Sequence, residues 1–256
     1  MAVRTRKEAF SNPLLSPPYL EPPYPVEEAK LIIVRYRADP KIVAGVVPQP
    51  LEPVGDGIVT AFIGDIWQIA GPGEYHEGGI SVGVRYEGTA GSYMPFRLTS
   101  TYDALLVGRE VFGMPKLLCD RGTVWIDGNG RRASLVRRGD EILALGVNLE
   151  RRGDGKKLLP VHRFFIKKIP SPDPKWASLR QVVYQRLTGH QVKRAYTGRG
   201  WVRTGGNVAL DLSVIAPSSV VEAWYVEAGW DVPAAKILLE EKVWRAFNSK
   251  GPRGEG

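Results

Sequence analysis

The alternation of apolar and polar positions along this chain points to a protein built mainly of strands. Residues 31–36, Leu-Ile-Ile-Val-Arg-Tyr, are rich in β-branched side chains and apolar on both faces, which predicts a strand covered on both sides. Runs of strand-like composition follow at 58–67, 80–86, 92–99 and 104–107, separated by glycine-rich turns such as Gly71-Pro72-Gly73. Residues 123–127 and 133–137 alternate around Gly128-Asn129-Gly130, a hairpin signal, and 142–149 continue the pattern after Gly139-Asp140, so the middle of the chain predicts an antiparallel meander. Further strands are expected at 164–168, 179–187, 191–196 and 208–214. Helices are fewer. Asp39-Pro40 reads as a cap and first turn for a short helix through Val43, Val46 and Val47, stopped by Pro48. At the other end Asp231 reads as a cap with Pro233 in the first turn, and Val232, Ala235, Leu239, Val243 and Phe247 form a stripe at spacings of 3, 4, 4 and 4. The expected class is α+β: a mostly antiparallel β-sheet or cone with that C-terminal helix packed on it.

Composition adds boundaries to this picture. Prolines at 13, 17, 18, 22, 23 and 25 force an extended path, so residues 1–30 are expected to be a proline-rich arm lying on the domain or on a neighbouring subunit, and 31–250 a single domain. One cysteine, Cys119, excludes an intrachain disulfide framework and fits a reducing compartment, and no apolar stretch of about 18 residues predicts a membrane span. A cytoplasmic protein without membrane contact is the expectation. The net charge of +8 favours anionic partners, either small carboxylates or nucleic acid. Nucleic acid is the poorer fit, because the basic pairs at 131–132, 137–138, 151–152 and 156–157 fall at hairpin ends with only Trp125 nearby to stack on a base. His76, His162 and His190 have no metal-ligand spacing, and no phosphate loop or dinucleotide fingerprint is present, so no metal or cofactor is expected.

The candidate chemistry centres on Lys116, in the almost wholly apolar segment Gly108 to Leu118. By residue type a lysine after Pro115 belongs at a surface turn. In this setting, however, burial among Val111, Phe112, Met114 and Leu118 would strip the amine of its proton near neutrality, and a neutral amine attacks carbonyls to form Schiff bases. Glu77 reads either as a solvated loop carboxylate or as the proton shuttle that imine chemistry needs. Arg97, in the expected strand 92–99, either faces solvent or supplies a substrate-binding cation. Arg109 and Glu110, adjacent and thus on opposite faces of a strand, are expected to be structural.

The segment Gly108-Arg109-Glu110 to Pro115-Lys116 resembles the Schiff-base lysine segment of the acetoacetate decarboxylase family, itself a standard example of a lysine activated by desolvation or a cationic neighbour. The likeness runs from Pro22-Pro23-Tyr24 through Tyr36-Arg37-Ala38-Asp39, Val47 to Glu52 and Tyr75-His76-Glu77-Gly78, with an echo at Val221-Glu222-Ala223-Trp224. The resemblance implies a cofactor-independent lyase acting on a small keto acid, a homo-oligomer, Lys116 as nucleophile and Glu77 as a site glutamate. Three positions depart from the pattern. Leu117 stands where the family has a second lysine, Ala29 where spacing aligns its substrate-guiding arginine, and Phe62 in the place of another active-site glutamate. Activation of Lys116 then falls to burial alone, and Phe62, Phe112 and Met114 are expected to wall an apolar substrate pocket beside Arg97. The readings left open are decarboxylation of a β-keto acid, aldolase-dehydratase or related enamine chemistry on an α-keto acid or ketone, and a non-catalytic ligand-binding cone.

Overall fold

A computed structural model describes residues 10–13, 16–69, 72–173 and 178–243. Strand β1 (Tyr24–Arg37) leads into helix α1 (Pro40–Gly45) and the short β2 (Glu52–Pro53). Strands β3 (Ile58–Ile69), β4 (Tyr75–Tyr86) and β5 (Thr89–Thr99) then form an antiparallel meander against β1. Helix α2 (Tyr102–Leu106) runs on into a π-helical turn (Val107–Phe112), after which β6 (Lys116–Leu118) pairs in parallel with β5. A second meander follows in β7 (Arg121–Asp127), β8 (Gly130–Arg137) and β9 (Asp140–Asn148). The rest is β10 (Arg151–Arg152), β11 (His162–Ile169), β12 (Ser178–Arg186), β13 (Thr188–Gly198), β14 (Gly200–Thr204), β15 (Gly206–Asn207), β16 (Leu210–Asp211), β17 (Ser219–Val232) and β18 (Lys236–Val243).

Twelve strands make one large, mainly antiparallel sheet in the order β10-β13-β17-β1-β3-β4-β5-β11-β12-β18, with β2 added to β4 and β6 to β5. A four-stranded sheet, β14-β9-β8-β7, covers one of its faces. The alternation along β1 shows how the two layers form. Ile32, Val34 and Tyr36 pack with Leu135, Leu143 and Leu145 of the small sheet, whereas Ala29, Leu31 and Ile33 join a second cluster with Phe112, Met114, Phe165, Val183 and Val226. That second cluster draws β11, β12, β13 and β17 together on the other face of the large sheet. At roughly 1.5–3 kcal/mol for each fully buried aliphatic side chain, a strand covered on both faces is a strong organiser of the fold. Among the described residues no helix is long and apolar enough to cross a membrane.

The α+β, mostly β class holds, with α1 and α2 as its helices, but the terminal helix expected over 231–247 does not. Asp231 and Val232 end β17, residues 236–243 are β18, and Phe247 lies outside the described residues. Spacings of four satisfy a period of two as well as one of 3.6, so the stripe alone does not discriminate. Pairing decides: β18 covers the edge of β12 from Ser178↔Val243 to Tyr184↔Lys236, and Gln181 Nε2 donates to Glu240 Oε2 at 2.5 Å. The apolar run at 104–107, expected as a strand, is instead α2 and the start of the π turn, because Thr101 Oγ1 accepts from Ala104 N at 3.4 Å and caps a helix there. Of 208–214 only Leu210–Asp211 is strand, and Ser213–Ile215 is a 3₁₀ turn held by the Asp211 carboxylate. Residues 24–30 lie in β1, so the extended path ends at Pro23.

Candidate active site

The π turn brings the candidate lysine inward. Gly113 closes it in the left-handed region at φ 76°, and Met114 N donates to Gly108 O at 2.8 Å, which swings the chain back toward β5. Gly108 matters for a different reason: a Cβ there would stand 2.6 Å from Lys116 Cδ, so any other residue would push the lysine side chain off its path. Arg109 Nη1 donates to the Lys116 carbonyl at 3.1 Å and pins the start of β6. Parallel register places Arg97 of β5 directly beside Lys116.

Lys116 is 3% exposed, and its Nζ donates to Ala104 O at 3.0 Å. The same nitrogen lies 2.5 Å from Glu77 Oε2 and 5.2 Å from the centre of the Tyr75 ring. Glu77 is fully buried, and its other oxygen pairs with the Arg97 guanidinium. Arg97 Nη1 also contacts Met114 Sδ at 3.2 Å, and its guanidinium carbon lies 5.4 Å from the Phe62 ring centre. Deeper in the same wall Arg163, likewise buried, donates to Gln185, which in turn donates to Pro233 O at 2.9 Å.

Burial lowers the Lys116 pKa to about 8, with Glu77 pulling it up and the Arg97 and Arg163 charges pushing it down. Burial pushes the Glu77 carboxyl up, but the cations of Arg97 and Lys116 outweigh it and hold the group below the ordinary carboxylate range. Arg163 is pulled down to about 9 by burial and then by Arg97, and so stays protonated at neutral pH. Burial and Glu77 raise the Tyr75 hydroxyl, which keeps its proton. One carboxylate thus faces two guanidinium groups and an amine, and Arg97 Nε and Arg163 Nε are buried N–H groups without a protein acceptor. The enclosure carries surplus positive charge and suits an anion.

Lys116 opens on a space of about 50 Å³ walled by Tyr24, Tyr75, Phe112, Met114 and Trp230. A larger cavity of about 280 Å³ adjoins it, and Ile66, Glu77, Arg97, Arg163 and Trp230 border both. The structure therefore brings together Lys116, Glu77, Arg97, Phe112 and Met114 from three separate segments, while Phe62 lines the larger cavity instead. Ala29 is buried in the core and borders neither cavity, and Leu117 packs away from the site into the cluster under the small sheet. Arg109 and Glu110 sit in the helical turn rather than on a strand, and Glu110 accepts from Tyr19 of the proline segment. Arg163, Tyr75 and Gln185 were not foreseen. The one available signal was an arginine set against Phe164-Phe165 in an apolar strand.

The sequence model of the family described as acetoacetate decarboxylase (ADC) matches residues 11–241. The acetoacetate decarboxylase of Burkholderia vietnamiensis is 26% identical over 243 residues, covering 92% of this chain and 96% of that protein. Among solved structures, an acetoacetate decarboxylase superposes with a TM-score of 0.85 at 21% identity, covering 94% of this chain and 99% of that one. The enduracididine biosynthesis enzyme MppR, complexed with the condensation product of pyruvate and imidazole 4-carboxaldehyde, superposes with a TM-score of 0.79 at 18% identity, covering 90% and 96%. These matches extend over nearly the whole length of the strands that carry Lys116, Glu77 and Arg97, and the chain belongs to the acetoacetate decarboxylase family.

Proposed function

We propose that the protein is a Schiff-base-forming lyase that decarboxylates a β-keto acid on Lys116. The observation that carries this reading is the buried amine, lowered to about 8, with the Glu77 carboxylate at 2.5 Å. Lys116 in its neutral form adds to the keto carbon, and Glu77 shuttles the proton that lets the carbinolamine lose water. The resulting iminium is the electron sink. The bond to the carboxylate breaks, its electron pair moves toward nitrogen to leave an enamine and carbon dioxide, and Glu77 returns a proton to the enamine carbon before water releases the ketone. No cofactor is needed, since the iminium supplies the sink. Arg97 and Arg163 offer their free Nε–H groups to the substrate carboxylate, replacing the charge absent at Ala29.

The same two cations favour a second reading. An α-keto acid held by the same guanidinium groups carries its carboxylate on the imine carbon, where loss of carbon dioxide gives no enamine, so Glu77 instead removes an α-proton and leaves an enamine suited to aldol addition and dehydration, with the adjoining cavity free for the aldehyde. The fold shared with MppR in its condensation-product complex fits that branch. Incubation with acetoacetate, or with pyruvate plus an aldehyde, followed by borohydride and peptide mass analysis, tests both. The expected outcome is an adduct on the Lys116 peptide, lost in Lys116→Ala, with carbon dioxide released from acetoacetate. Condensation product without carbon dioxide selects the aldol branch, and no adduct with any keto compound overturns imine chemistry altogether.

A further inference from the structure

We infer that the substrate carries a linear apolar tail of medium length, and that the larger cavity is the site that holds it. This rests on the keto-acid reading above and extends it from reaction type to substrate class. A four-carbon keto acid needs only the space beside Lys116 and the Arg97–Arg163 pair, which leaves the about 280 Å³ cavity unexplained. That cavity begins at the shared wall of Ile66 and Trp230 and continues between Leu31, Phe62, Met94 and Leu159. Phe62 is the informative residue: an aromatic ring here makes the wall apolar within 5.4 Å of the arginine that pairs with Glu77.

The geometry also limits the tail. Glu77 at the reacting end and Ser81 at the far end both line the space, and four residues of strand at ~3.3 Å each set them about 13 Å apart. At the far end Arg35, Thr60, Ser81 and Ser92 form a half-exposed polar rim, where an alkyl chain gains nothing by going further. A methylene takes up about as much room as a water molecule, ~30 Å³, so the cavity holds a tail of roughly six to ten carbons. His190 interrupts the apolar wall, but burial lowers its pKa, so it stands there as a neutral ring.

Two measurements test the inference separately from the decarboxylase reading. In the first, kcat/KM is compared for acetoacetate, β-ketohexanoate, β-ketooctanoate and β-ketodecanoate, and should climb about threefold to fourfold per buried methylene. Met94→Trp, which fills the cavity, should flatten that climb, whereas an unchanged profile in the variant would place the tail elsewhere and overturn the inference. In the second, calorimetry on Lys116→Ala follows binding of methyl propyl, methyl pentyl and methyl heptyl ketones, and affinity should rise by a similar factor without any imine. Rising ketone affinity with no turnover of any β-keto acid sinks the decarboxylase reading and leaves the tail site standing. Turnover of acetoacetate with flat profiles in both series sinks the tail site and leaves the decarboxylase reading standing.

Discussion

Glu77 is the residue on which the charge balance of the site depends. Among the described residues it alone faces Lys116, Arg97 and Arg163 with a negative charge, and it has no exposure through which water could replace it. Glu77→Gln should therefore destabilise the protein by about 3 kcal/mol or more, because it strands buried cations, and a thermal melt should fall by roughly ten degrees. Lys116→Met should cost much less, since Glu77 keeps Arg97 as its partner. The two variants also separate in pH dependence. Imine formation needs the neutral amine, so the wild-type rate of borohydride trapping should rise with pH through about 8 and then level off. Glu77 raises the Lys116 pKa, so removing its charge moves that rise to lower pH even as turnover drops by about a hundredfold or more through loss of the proton shuttle. A rise that stays at the wild-type pH in Glu77→Gln would mean the two groups are not coupled. Lys116 drew attention in the sequence as a charge in an almost wholly apolar run, whereas Glu77 and Arg97 read equally as solvated groups until the resemblance and the strand pairing set them beside it. Arg163 too is a charge in an apolar run, yet only the parallel pairing of β11 with β5 shows that it reaches the same enclosure, and no local pattern encodes which strands meet.

The π turn is the element that delivers the lysine, and its two glycines do different work. Gly113 permits a left-handed reversal, while Gly108 keeps clear the path of the Lys116 side chain. In most helical turns Gly→Ala is stabilising through propensity. Here Gly108→Ala should leave the melting temperature within a few degrees of wild type and lower kcat about a hundredfold, the usual result of displacing a reacting group by roughly 1 Å. A variant of normal activity would show that the aliphatic part of Lys116 has another route. Elements were legible to the extent that they are long and their neighbours ordinary: β3 and the hairpin of β7 and β8 were expected near their observed bounds, and β1 was expected over its second half, its first seven residues being hidden by Pro25 and the proline run before it. Those that failed were decided by something outside the segment. β18 follows the bare edge of β12, and α2 follows a cap at Thr101 that precedes the apolar run. β17, the 14-residue partner of β1, went unread because Glu222, Glu227 and Asp231 dilute its apolar pattern, although Glu222 is neutralised by Arg35 and Glu227 accepts from Tyr225.

At the scale of the whole molecule the net charge of +8 acts on the substrate before any contact forms. Surface pairs such as Arg199–Glu150 and Arg203–Glu141 cancel locally, so the excess appears to an approaching anion as a diffuse field, with the cations of Arg97 and Arg163 at its end. The Debye length shrinks from ~30 Å at 0.01 M salt to ~8 Å at 0.15 M, which screens that field but barely touches the buried pair. The KM for a keto-acid anion should then rise several-fold over this range while kcat stays constant. Trapping of a neutral methyl ketone on Lys116 is the control. It has no charge for the field to act on, so its salt dependence should be flat. Equal salt sensitivity of acid and ketone would locate the effect in the protein's own structure rather than in attraction. A flat KM for the acid would mean that the guanidinium pair alone, and not the overall charge that the sequence already displays, selects for a carboxylate.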